Sequence, residues 1–107
     1  MVKILTKGEF DNFLQANGDR LSVIKFSAPW CGPCKLLGGI IEELEPIEGV
    51  VFGEVNVDDA DEDFVNEFNV RNIPTVLFFK NGMQVDRTTG AMGRDAFENK
   101  INENKNK

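Results

Sequence analysis

Two cysteines three positions apart, Cys31 and Cys34, are the only ones in the chain, and they sit where its pattern changes from strand to helix. Before them Leu21 to Ala28 predicts a strand; after them Lys35 to Glu45 predicts a helix. A Cys-x-x-Cys at such a junction is a redox signature. The reason is local. The first cysteine falls at a helix N-terminus, where unpaired backbone N–H groups and the macrodipole favour negative charge. That raises the thiolate fraction, and the thiolate is the nucleophile. Pro33 suits the first turn, where its missing N–H would be unpaired anyway. Cys34 lies on the same face of that turn and reaches Cys31 to close a disulfide with little backbone movement. A permanent bridge tying down the helix end is the competing reading, but it closes so short a loop that the entropic gain is small.

A length of 107 residues predicts one domain, 1–107. Its 41% hydrophobic content suffices for a single core, and 28% charged residues is ordinary for a soluble surface. A net charge of -6 argues against a nucleic-acid partner, which needs a basic stripe. No apolar run approaches the ~20 residues that span a bilayer, so no membrane association is expected. A structural zinc site wants four Cys or His ligands, and two Cys with no His cannot supply them, so no metal is assigned. The start, Met1-Val2-Lys3-Ile4-Leu5-Thr6, is too short for a signal peptide and lacks a small-residue cleavage site. A cytoplasmic location is expected, although a mature exported protein with an added Met would look the same.

Along the chain, Val2 to Leu5 predicts a short first strand, and Thr6 and Glu9 form a capping box. Phe10, Phe13 and Leu14 follow at helical spacing, and Asn17-Gly18 stops the helix. In the helix after the cysteines, Leu36, Leu37, Ile40, Ile41 and Leu44 predict one broad apolar stripe. Gly38-Gly39 interrupts it, which predicts a bend or a close approach to a neighbour, and Pro46 marks its end. Val50 to Val57 predicts a third strand. The acidic run Asp58, Asp59, Asp61, Glu62 and Asp63 is read as a solvated face and cap at the next helix start, with Phe64, Val65 and Phe68 buried behind it. Thr75 to Phe79 predicts a strand, Asn81-Gly82 a tight hairpin, and Met83 to Thr89 the returning edge strand. A last helix turns Phe97 and Ile101 inward, and the polar segment Asn102 to Lys107 is expected to fray. The order β-α-β-α-β-α-β-β-α predicts an α/β mixed sheet with helices on both faces.

Several separated motifs together resemble the thioredoxin family over nearly the whole chain. They are Trp30-Cys31-Gly32-Pro33-Cys34-Lys35, Ile73-Pro74-Thr75, Phe79-Lys80-Asn81-Gly82 and Gly90-Ala91. The family is itself a standard example of Cys-x-x-Cys chemistry. The resemblance implies a thioredoxin fold, a five-stranded sheet of order 1-3-2-4-5 flanked by four helices, with a cis peptide before Pro74. It implies a groove beside Cys31 lined by Asn72, Ile73, Pro74, Gly90 and Ala91, with Trp30, Gly32 and Pro33 in the contact surface. There the Ile73 backbone would pair with an extended client segment as an added strand. A core Ile73 and a plain turn at Pro74 form the alternative.

The departures from the family matter as much. An acidic residue commonly sits six positions before the first cysteine, buried beneath the second; here it is Lys25. Its usual lysine partner aligns with Glu54. Both signs are reversed, and because a lone buried charge is costly, the double reversal predicts that Lys25 and Glu54 touch. Independent access to solvent, with Lys25 snorkelling, is the alternative. A Trp common near Ser27 is missing, and Gly39 replaces a proline of the long helix.

The function expected is a thiol–disulfide oxidoreductase that reduces client proteins, with Cys31 as nucleophile, Cys34 as resolving thiol and Lys25 with Glu54 as a proton-transfer pair. No bound cofactor is expected beyond the redox-active Cys31–Cys34 disulfide. The resemblance implies an NADPH-dependent flavin thioredoxin reductase as electron donor and a monomeric protein; no nucleotide-binding fingerprint occurs in the chain. Two other readings stand beside it. One is an oxidant or isomerase of an oxidising compartment, against which Gly32-Pro33 and the lack of His argue. The other is a binding module without redox cycling, against which the intact cysteine pair argues.

Overall fold

The computed structural model describes residues 1–107. Its elements are β1 (Val2–Lys3), α1 (Lys7–Ala16), β2 (Leu21–Ser27), α2 (Gly32–Leu44), β3 (Val50–Asn56), α3 (Glu62–Glu67), β4 (Thr75–Lys80), β5 (Met83–Thr89) and α4 (Arg94–Lys105). The sheet runs β1-β3-β2-β4-β5. β1, β3 and β2 are parallel; β4 joins β2 antiparallel, and β5 joins β4 antiparallel. The expected five-stranded mixed sheet with four helices is therefore present. Within extents of 32 × 30 × 20 Å, no helix is long and apolar enough to cross a membrane.

Local chemistry sets the boundaries. The Thr6 hydroxyl accepts the Glu9 N–H at 3.1 Å, and the Glu9 carboxylate accepts the Thr6 N–H at 3.2 Å, closing the capping box on α1. Asn81 (φ 53°) and Gly82 (φ 78°) both take the left-handed conformation that a two-residue hairpin of this twist requires. The peptide bond before Pro74 is cis, as expected, and so is the one before Pro46.

Period-two alternation then sorts the strands into two faces. Leu21 and Val23 of β2, Val50 and Phe52 of β3, and Val76 and Phe78 of β4 pack with Leu37, Ile41, Leu44, Phe97 and Ile101 from α2 and α4. Ile24 and Phe26, Val55, Leu77 and Phe79 face the other way, against Phe10 of α1 and Phe64 and Val65 of α3. Each fully buried large side chain contributes about 1.5–3 kcal/mol. By the same alternation Lys25 follows Leu21 and Val23, and Glu54 follows Val50 and Phe52, so both belong to the α2 face. They are also register partners on β2 and β3.

Three expectations need correction. The first strand is two residues long, not four; Ile4, at 1% exposure, already serves the core instead. Leu36 is 69% exposed, so the stripe on α2 is narrower than the sequence pattern and leaves this leucine on the surface. The C-terminal segment does not fray. Asn104 is fully buried, and its Nδ2 donates to Asp86 Oδ2 at 2.9 Å and to the Lys100 carbonyl at 2.8 Å. Lys80 Nζ donates to the Lys105 and Lys107 carbonyls at 2.6 and 2.9 Å, and Lys107 Nζ donates to the Val85 carbonyl at 3.0 Å. Long-range hydrogen bonds to main chain hold this polar tail, and such bonds leave no periodic trace in the sequence.

Candidate active site at the N-terminus of α2

Helix α2 begins where β2 ends its run across the sheet, and Cys31 is its N-cap. Cys31 Sγ accepts the Cys34 N–H at 3.2 Å, so the sulfur satisfies one of the orphan donors of the first turn. Any negative charge on that sulfur would be favoured by the same donor and by the helix macrodipole. Cys31 and Cys34 are joined as a disulfide, with their Cα atoms 5.2 Å apart. Pro33 stands in the first turn, as its chemistry suggests. Cys31 is 6% exposed and Cys34 2%, so Cys31 is the more accessible sulfur.

The two cysteines pack with Ala28, Val57 and Ile73. Cys31 Sγ lies 3.9 Å from the Ile73 carbonyl oxygen, which brings the loop before β4 against the sulfur. The next carbonyl of that loop, on Pro74, accepts the Gly90 N–H at 2.8 Å. Thus Ile73, Pro74 and Gly90 form one wall beside Cys31. Asn72 is exposed and uses its carbonyl to accept the Thr75 hydroxyl. Gly32 and Pro33 are exposed on the first turn of α2. Ala91 lines a groove with Lys35, Leu36, Gly39, Ile40, Glu43, Met92 and Gly93.

Trp30 is 70% exposed, and its Nε1 donates to Asp58 Oδ2 at 2.8 Å. Asp58 belongs to the acidic run that the sequence presents as a solvated face. No local signal marks it, because its partner lies 28 positions away. The neighbouring Asp61 is the N-cap residue of α3 but makes no side-chain capping bond.

Beneath the sulfurs, Lys25 Nζ lies 3.0 Å from Glu54 Oε2. Lys25 is 4% exposed, whereas the Glu54 side chain retains 27% of its exposure. The contact anticipated from the reversed signs is therefore made. Both residues line a cavity of about 550 Å³ that Cys34, Gly38, Asn56 and Asp59 also line. The resolving position and the ion pair thus share one recess. No cluster of ligating side chains capable of holding a metal is formed.

Comparisons with known proteins agree with this geometry. The thioredoxin family model matches residues 1–103. The thioredoxin of Chlamydia caviae is 39% identical over 104 residues, covering 96% of this chain and 98% of that protein. Human thioredoxin is 44% identical over 105 residues, covering 96% of this chain and 98% of its own. Among solved structures, Fasciola hepatica thioredoxin superposes with a TM-score of 0.89 at 32% identity, covering 97% of this chain and 99% of that one. A disulfide at a helix N-terminus, its cis-proline wall and a family match over nearly the whole length agree: the chain belongs to the thioredoxin family and is a thiol–disulfide oxidoreductase that reduces protein disulfides through Cys31 and Cys34.

Proposed function

We propose that Cys31 is the attacking thiolate and Cys34 the resolving one, with Lys25 and Glu54 managing the proton and charge of the second step. The observation that carries this reading is Cys31 Sγ capping α2 by accepting the Cys34 N–H. A thiolate formed there attacks one sulfur of a client disulfide. A Cys31–client bond forms, the client S–S bond breaks, and the departing client sulfur takes up a proton. Cys34 then loses its proton and attacks Cys31 Sγ. The Cys31–client bond breaks, the second client sulfur leaves as a thiolate, and two electrons have passed to the client.

The second step buries an anion beside an ammonium. Glu54 accepts the Cys34 proton, directly or through water in the recess, and Lys25 then faces a thiolate instead of a carboxylate. One anion replaces the other, so the buried cation keeps a partner throughout. This avoids the several kcal/mol that an uncompensated buried charge costs. Client segments dock along the wall of Ile73, Pro74 and Gly90, with Asn72, Ala91, Trp30, Gly32 and Pro33 around it. The Ile73 backbone serves as the edge to which an extended strand adds.

Disulfide-containing proteins are the substrates that the family implies, and thioredoxin reductase is its typical electron donor. For this chain we assign an NADPH-dependent flavin reductase as the donor and a monomer acting in the cytoplasm. Both cysteines lie in the reactive pair and none forms a separate structural bridge, which supports a reducing compartment. The test is alkylation of the reduced protein at mildly acidic pH, followed by client capture. Cys31 is expected to label first. Cys34→Ser should accumulate a Cys31–client mixed disulfide, and Cys31→Ser should capture nothing. Labelling of Cys34 ahead of Cys31, or capture by Cys31→Ser, would reverse the assignment.

A further inference from the structure

Gly38 follows Cys34 by four residues, which places it one turn further along the same face of α2. It is buried, and a Cβ built on it would lie 3.0 Å from Lys25 Nζ. Gly39, its neighbour, has nothing within 4 Å of the corresponding position. Of the two glycines, only Gly38 is required by a close approach. The direction of that missing side chain matters. Cα–Cβ bonds on a helix tilt toward its N-terminus, so a side chain at position 38 would lean toward Cys34. The Lys25 ammonium therefore occupies the place that a residue at 38 would otherwise fill.

We propose that Gly38 is a positioning residue for the second thiol-exchange step: its bare Cα leaves room for the Lys25 ammonium in the recess that Cys34 also lines. The inference rests on the role given to Lys25 above and extends it to a residue that carries no functional group. Lys25 pairs with Glu54 and lines the recess of about 550 Å³. A side chain at 38 would press on the ammonium and shift it within that recess relative to Cys34. The step that then suffers is the loss of the Cys34 proton to Glu54 and the attack of that thiolate on Cys31 Sγ, with release of the client sulfur. Capture of the client by Cys31 is unaffected, because it precedes any use of Lys25.

The experiment mixes reduced protein with an excess of insulin, quenches in acid and alkylates, so that the mixed disulfide's rise and decay are read separately. Lys25→Met is expected to slow the decay about tenfold, since a nearby cation raises a thiolate fraction by roughly that factor. Gly38→Val should slow it comparably and Gly38→Ala by a smaller factor, with the rise unchanged in both. In the Lys25→Met background, Gly38→Ala and Gly38→Val should add nothing. Melting is measured for each variant alongside the decay, which separates position from stability. Should Gly38→Val fail to fold, Gly38→Ala decides through the same cycle. Normal decay in the Gly38 variants beside slow decay in Lys25→Met overturns the role of Gly38 and leaves that of Lys25 standing. Normal decay in Lys25→Met overturns both. Slowing that multiplies in the double variants shows Gly38 acting through helix packing alone, which also overturns the proposal.

Discussion

Lys25 stands in the middle of the sheet with Glu54 as its ion-pair partner at 3.0 Å, whereas Asp86 on the edge strand is held from several sides. Asp86 accepts Asn104 Nδ2 at 2.9 Å, Lys100 Nζ at 3.1 Å and the Arg87 N–H at 2.8 Å. Burial works against its charged form, but the bonds from Asn104, Arg87 and Lys100, with the Lys100 charge, prevail and hold its carboxyl below its ordinary value of 3.8. The hydrogen bond and charge of Asp86 in turn hold Lys100 above 10.5. The edge network joins α4 to β5 and surrounds the Asp86 carboxylate with donors. The central pair is sparsely partnered, adjoins a recess and shares that recess with Cys34. A charge with many partners fixes architecture; one with a single partner is free to exchange it.

The comparison breaks most visibly at Glu54. Glu54→Gln leaves the Lys25 ammonium buried without its anion and should destabilise the oxidised protein by about 3 kcal/mol, read by urea unfolding. It should also slow decay of the mixed disulfide. Wild-type stability in this variant would show that the buried Lys25 does not depend on Glu54 for its charge. At the edge, Asn104→Ala should cost about 1 kcal/mol and leave client reduction unchanged. The cost is modest because Asn104 Oδ1 already lacks a partner, so the substitution also removes a buried orphan. A fall in reduction rate with this variant would blur the line between the two networks.

The smallest effect is in pH. The stability that Asp86 contributes is present above 3.8 and is lost as pH falls through its depressed folded value. That of Lys100 is present below 10.5 and is lost as pH rises through its raised folded value. Asp86→Asn should flatten the unfolding free energy at both extremes relative to wild type. Unfolding midpoints measured across acid and alkaline series would check it, and an unaltered acid limb would show that other carboxylates dominate there.

Features written in neighbouring residues were legible in the sequence. Thr6 with Glu9, Asn81 with Gly82, and Cys31 with Pro33 and Cys34 each announce a local geometry that the fold reproduces. The Lys25–Glu54 contact was legible for a different reason: two departures from the family pattern make sense only together, and strand register brings them side by side. What escaped depends on distant partners. Asp58 looks like any acid in an acidic run until Trp30 meets it. Asn104 looks like part of a polar tail until Asp86 claims it. Leu36 fits the helical period of α2 yet stays in solvent, because periodicity gives the direction of a stripe and not its width.

The 2.8 Å bond from the Gly90 amide to the Pro74 carbonyl fastens the segment after β5 to the segment before β4. Under the docking proposed above, a client would meet a wall already tied by this bond, with less freedom left there to lose. The loss of freedom falls on the visitor. A disulfide carried by a slack loop must surrender backbone entropy of about 1–2 kcal/mol per residue that it lays against this edge, and one already held extended surrenders far less. Among clients of equal reducibility, those with the more rigid, strand-like approach to their sulfurs should be served first.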